Sequence, residues 1–241
     1  MGAAFGWGAL AASSLVLGVL LAFARSWAPE PIGLILGFGA GALISAVSFE
    51  LAEEGARLGS PASLGTGLAL GALTYFVADG VIARRTQTQP GKGGRSRGAG
   101  AGESLALGAF LDGVPEQLVL GIGLAGGESV SIALLVAIFV SNLPEGIGAG
   151  VDMQASGTAR GRIIKLFLGV AVVCTLSSVA GYGIADSISG EFQAGVNGFA
   201  AGALLVMLID SMIPESREKG GRLAGLLAVV GFAVATALSN F

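Results

Sequence analysis

Eight stretches of this chain are apolar over the length of a bilayer-crossing helix: residues 6–24, 32–51, 64–83, 105–124, 130–150, 163–184, 194–213 and 221–239. A span needs about 20 mostly apolar residues. Lipid offers backbone groups no water, so each stretch must satisfy its own N–H and C=O groups as a helix. The runs therefore predict an all-α polytopic membrane protein, one transmembrane domain over residues 1–241. Composition agrees, since charged residues make up 12% of the chain, about half the share usual in soluble domains. The mean hydropathy is +0.81. Forty-two glycines suit helices that approach closely in lipid. No Lys or Arg precedes the first stretch, so it reads as a span and not as a secretory signal.

Charge placement orders the spans. With connections numbered alternately, one side receives Arg25, Arg84, Arg85, Lys92, Arg95, Arg97, Arg160, Arg162, Lys165, Arg217, Lys219 and Arg222, and the other receives Arg57 alone. The basic side is cytoplasmic by the positive-inside rule, so both termini are expected outside an inner (plasma) membrane. A wrong span count would scramble this sorting. The long connection 84–104, "RRTQTQPGKGGRSRGAGAGES", reads as a flexible cytoplasmic loop. Its basic residues set topology and attract anionic lipid; they are not a nucleic-acid site.

Two segments repeat. Residues 37–43 read "GFGAGAL" and residues 198–204 read "GFAAGAL", and the same offset pairs Glu54 with Glu215. The alternation above gives the two copies opposite orientations, as in inverted-repeat transporters, where the site lies at the repeat interface near the midplane. Spans 1–3 and 6–8 then form the repeats, with spans 4 and 5 between them.

Those central spans hold residues that an apolar run should exclude. Span 4 contains "LDGVPEQ" (111–117) and span 5 contains "SNLPEGI" (141–147). Residues four apart share a helix face, which sets Asp112 beside Glu116 and Ser141 beside Glu145, with Asn142 on an adjoining edge. Pro115 and Pro144 each remove a backbone donor and free a carbonyl one turn earlier, near Leu111 and Val140. An acid at the bilayer centre costs about 2.5–3.5 kcal/mol on the insertion scale, and several ionised together repel. A bound cation resolves both difficulties, so the cluster reads as an ion site.

These motifs resemble those of the ZIP (Zrt/Irt-like) divalent-metal transporters, which carry a His-Asn-x-Pro-Glu-Gly motif in the fourth helix and a related one in the fifth. "FAAGALLVMLIDSMIPES" (199–216) and "GFGAGALISAVSFEL" (37–51) are similar to that family's seventh and second helices. The resemblance implies an eight-helix, 3+2+3 inverted-repeat architecture, transport of a divalent metal toward the cytoplasm and, as in relatives, a homodimer. It also implies that Asp112, Glu116, Asn142 and Glu145 are metal ligands, with Ser141 a weaker one. The metal is the substrate; no cofactor is expected. The motif's histidine positions fall on Asp112 and Ser141, its first asparagine on Gly113 and its final glycine on Gln117. The chain has no histidine, and its sixth span offers no carboxylate. The resulting all-oxygen site suits hard ions such as Mn²⁺ or Mg²⁺, while zinc also accepts carboxylates. Three carboxylates around one dication leave room for a proton, a route to proton coupling. Two further readings stand beside this one: a proton-coupled carrier of another solute, and a ZIP-like protein that no longer transports.

Other polar residues have plainer roles. Glu50, Glu53, Glu54, Asp186 and Glu191 lie at outer helix ends, either concentrating cations or simply solvated. Asp79 and Asp210 either line the inner exit or pair with Arg84 and Arg217. Ser45 and Ser48 suit interhelical hydrogen bonds, Trp7 and Trp27 suit interface anchoring, and Cys174 suits the core. An enzyme is not expected: without histidine there is neither an intramembrane Ser-His dyad nor a histidine-ligated zinc motif.

Overall fold

The structure, a computed structural model, describes residues 1–87, 100–125, 132–185 and 187–239. They form eight helical rods: α1 (Gly2–Ala24), α2 (Pro29–Leu58), α3 (Pro61–Gln87), α4 (Gly100–Ala125), α5 (Ile132–Ala155), α6 (Arg160–Ala185), α7 (Gly190–Gly220) and α8 (Leu223–Leu238). Six are long and apolar enough to cross a membrane. α4 and α8 add shorter apolar helices at Gly113–Ala125 and Leu223–Leu238. The protein is thus an all-helical polytopic membrane protein in contact with lipid. The rods overrun the apolar stretches that announce them. α2 continues past residue 51 to Leu58, and α7 runs from Gly190 to Gly220. Helix also claims 84–87 and 100–104 from the segment expected to be a loop, and 88–99 lie outside the described residues.

Packing divides the rods into two groups. α3 lies along α7 and α8 along α2; in the other group α5 lies along α1 and α4 along α6, with α1 also against α6. Glycine makes these crossings possible. A Cβ on Gly41 would sit 1.8 Å from the Ala228 carbonyl oxygen, and one on Gly71 would sit 1.9 Å from that of Phe199. In the second group a Cβ on Gly121 would meet the Ser178 carbonyl oxygen at 1.9 Å. Lipid gives no hydrophobic drive to helix association, so close backbone approach supplies van der Waals contact instead. Between the groups, α2 packs on α5, with slighter contacts of α4 to α7 and of α8 to α5. That boundary is filled by aliphatic side chains, among them Leu36, Leu43, Ile138, Leu204 and Met207.

α2 and α7 run antiparallel. Gly33 near the start of α2 abuts Gly220 at the end of α7, and Gly59 just beyond α2 abuts Glu191 at the start of α7. Each rod contains a π-helical stretch, Val47–Glu53 in α2 and Leu208–Met212 in α7. The two stretches begin at matching positions of the repeated segments. Pro214 supplies a cause in α7, since it has no N–H to offer the preceding turn; α2 has no proline there.

The rod ends carry opposite charge. At one end Arg25 stacks over Trp27, 4.5 Å from the ring centroid, Arg160 lies 5.3 Å over Phe23, and Lys219 pairs with Glu215. At the other, Glu191 accepts hydrogen bonds from the Ser60 N–H and hydroxyl, and Ser239 donates to Glu50. Arg57 there pairs with Glu53 and Glu54.

A candidate metal centre between α4 and α5

Helix continues unbroken through Pro115 in α4 and Pro144 in α5, so each motif stays on a regular face. Glu116 is 1% exposed, Ser141 1% and Asn142 3%, while Glu145 is partly buried. Four of the five expected ligands thus lie inside the bundle, on two helices that touch. Asp112 occupies α4 one turn before Glu116, but its side chain lies outside the described ones. Among the described residues no three acidic or cysteine side chains converge on one point. The described part of the site is therefore two glutamates with one amide and one hydroxyl.

Packing around the two motifs explains several of their letters. Gly146, directly after Glu145, is needed because α1 crosses there: its Cβ would lie 2.4 Å from the Leu15 carbonyl oxygen, and one on Gly18 would lie 2.4 Å from that of Leu143. On α4, Gly113 faces Cys174 of α6, whose sulfur lies 2.6 Å from where a Cβ would be. Cys174 is a buried core residue, and its bulk accounts for glycine at 113. Ser141 turns its hydroxyl back to the Ile138 carbonyl at 3.1 Å, which leaves its oxygen lone pairs as the only ligand chemistry it could offer.

Beside Glu116 lies a polar group that sequence reasoning passed over. Gln117 is fully buried. Its Nε2 donates to the Gly8 carbonyl at 3.3 Å, and its Oε1 is buried with no hydrogen-bond partner among the described residues. Ser178 of α6 donates to Ala4 at 3.1 Å nearby. The only sequence signal was an amide in an apolar run, which the adjacent Pro-Glu pair overshadowed.

The secondary candidates separate. Ser45 exchanges a 2.9 Å hydrogen bond with Thr236 of α8, an interhelical role, whereas Ser48 bonds its own helix at Ile44. Trp27 donates to the Leu21 carbonyl at 2.9 Å. Of the two roles open to Asp210, pairing with Arg217 does not occur among the described residues: both are exposed, seven positions apart, and the basic partner in this turn is Lys219, held by Glu215. The Arg84 side chain and Asp186 lie outside the described residues.

Fold and site together define a class, a polytopic helical membrane protein with an acid, Glu116, and two amides, Gln117 and Asn142, buried within its bundle. No family model matches the chain. It is similar to an Arabidopsis thaliana protein provisionally named a zinc transporter, 28% identical over 234 residues. The match covers 95% of this chain and 37% of that relative, so the chain spans less than two fifths of the relative's length.

Proposed function

We propose that this protein is a ZIP-like divalent metal-ion transporter, carrying a zinc-, manganese- or iron-type ion toward the cytoplasm by alternating access. The observation that carries the reading is the burial of Glu116 and of the Ser141–Asn142 pair on touching helices. Buried carboxylates are stable only when neutralised or paired, and a dication drawn between α4 and α5 does this with oxygen ligands alone. The name of the Arabidopsis relative points the same way. Asp112, Glu116, Asn142 and Glu145 are the ligands in this proposal, with Ser141 the weakest. An all-oxygen set shifts preference toward hard ions relative to sites that contain imidazole.

The moving units in this reading are the two packing groups, not the two sequence repeats. Glycine crossings lock helices within each group, whereas the boundary between groups rests mainly on aliphatic side chains that can slide. The matched π stretches and the antiparallel course of α2 and α7 support an inverted-repeat architecture. Asp112 is the carboxylate proposed to carry a proton when the metal leaves.

The test is metal uptake into proteoliposomes, with Zn²⁺, Mn²⁺, Fe²⁺, Co²⁺, Cd²⁺ and Mg²⁺ in competition. Uptake by the wild type that disappears in Glu116→Ala and in Glu145→Ala supports the site. Absence of uptake by folded wild type under every gradient sinks the transport reading. Proton coupling fails separately if neither a proton gradient nor Asp112→Asn changes the rate.

A further inference from the structure

The two copies of the repeated segment differ at one of seven positions, Gly39 in α2 against Ala200 in α7. A Cβ on Gly39 would lie 3.1 Å from the Ser141 Cα and 3.3 Å from its N, and 2.9 Å from the Met212 Cε. Met212 is a flexible side-chain end that can yield, but Ser141 is helix backbone that cannot yield alone. Gly39 therefore sits where three features meet: the boundary between the two helix groups, the π stretch of α7 that contains Met212, and the first residue of the Ser-Asn-Leu-Pro-Glu segment. Among the described residues, the glycines whose added Cβ would strike backbone within 3 Å do so inside one group, and Gly39, at 3.1 Å, comes next. Across the boundary, Gly39 is the one glycine among the described residues at which one helix backbone comes close to settling on another. At the matching place Ala200 keeps its methyl, and α7 touches α4 more slightly than α2 touches α5.

We propose that the absent side chain at Gly39 is the seat that holds α5, and the site it carries, against α2 in the arrangement seen here, and that Ala200 makes the corresponding seat for α4 shallower. Gly39 is then a positioning residue that sets the balance between two arrangements of the helix groups. The one-methyl difference between the repeats makes that balance unequal. The functional importance of the balance rests on the transport reading above; the seat itself does not.

The experiment uses the full chain in proteoliposomes and reads cysteine alkylation by a maleimide. Ser141→Cys, in a Cys174→Ser background, is buried while α5 is seated, so its labelling rate reports how often α5 leaves α2. Native Cys174, buried within the second group, reports loosening of that group itself. Gly39→Ala is expected to raise labelling at position 141 about tenfold and to leave native Cys174 as protected as in wild type. Ala200→Gly, which removes a methyl and leaves the α2 seat intact, is expected to raise position 141 labelling too, by deepening the competing seat. Gly148→Ala adds a methyl to α5 in open space and should change nothing. Equal rises at 141 and 174 would reduce Gly39 to general packing and overturn the proposal, as would unchanged labelling at 141 in both Gly39→Ala and Ala200→Gly. Should Gly39→Ala fail to fold, Ala200→Gly alone decides. Uptake is measured in parallel: a wild type that moves no metal refutes the transport reading, while the labelling still decides the seat.

Discussion

The two helix groups are assembled alike and furnished differently. Both use glycine to bring backbones together, at Gly41 and Gly71 in the group of α2, α3, α7 and α8, and at Gly18 and Gly121 in the group of α1, α4, α5 and α6. The first group ties Glu191, Glu50, Glu53, Glu54 and Glu215 toward its rod ends, to Ser60, Ser239, Arg57 and Lys219. Wide apolar faces of α3 and α8, at Leu70, Phe76, Leu226 and Val229, are left outward. The second buries Glu116, Gln117, Ser141, Asn142, Thr175 and Ser178 at its centre. Buried polar groups cost free energy unless something satisfies them; the first group buries Ser45, Asn197 and Ser216 but no carboxylate among the described residues, and the proposed metal site therefore falls in the second.

The sharpest break would come from the acids. Glu116→Ala is expected to abolish uptake, a loss of about a hundredfold or more, the scale of removing a buried charged partner (about 3–5 kcal/mol). Glu54→Ala in the first group, half-exposed beside Arg57, should leave uptake within about twofold, since exposed pairs contribute little. Comparable losses in the two variants would erase the division between groups.

Next in size are the crossings. Gly41→Ala and Gly18→Ala should each destabilise by about 1–3 kcal/mol through overpacking, read as a lower Tm in detergent. Only Gly18→Ala should also weaken metal binding, measured by titration calorimetry, because its methyl would press on Leu143 beside Glu145. Equal binding by the two variants would show that α1 does not shape the site.

A smaller effect is expected at Ser45→Ala, which removes the hydrogen bond to Thr236. About 0.6 kcal/mol is typical of such bonds in membranes, a Tm change near the limit of measurement with uptake unaltered. The smallest belongs to Leu226→Ala on the outward face of α8, where a surface change stays within about 0.5 kcal/mol. A large loss of Tm or a change of oligomeric mass there would mean that protein, and not lipid, covers this face.

Much of this was legible in one dimension. Hydropathy announced all eight rods, because a spanning segment must be apolar and helical over a length set by the bilayer. The Pro-Glu pairs stood out because prolines and acids are costly in such a run. Rod ends were harder, since α2 and α7 extend past their apolar cores into Glu54, Arg57, Arg217 and Lys219, where hydropathy falls while the helix persists. The π stretches were not foreseen: one lies just before Pro214, and the other has no proline to mark it. Gln117 was visible as a letter but not as a buried group, because burial depends on Gly8 and Ser178, each more than 60 residues away.

By itself the sequence determined the all-helical class, the number of rods and the basic and acidic ends, and it marked the Pro-Glu pairs of α4 and α5 as out of place in lipid. Each follows from local rules: spanning length, charge at chain turns, and the cost of polar groups in lipid. Only the tertiary structure decided which helices are locked together and where the boundary between them runs. That choice depends on which glycine meets which carbonyl across distant parts of the chain, and forty-two glycines leave it open until the rods are packed.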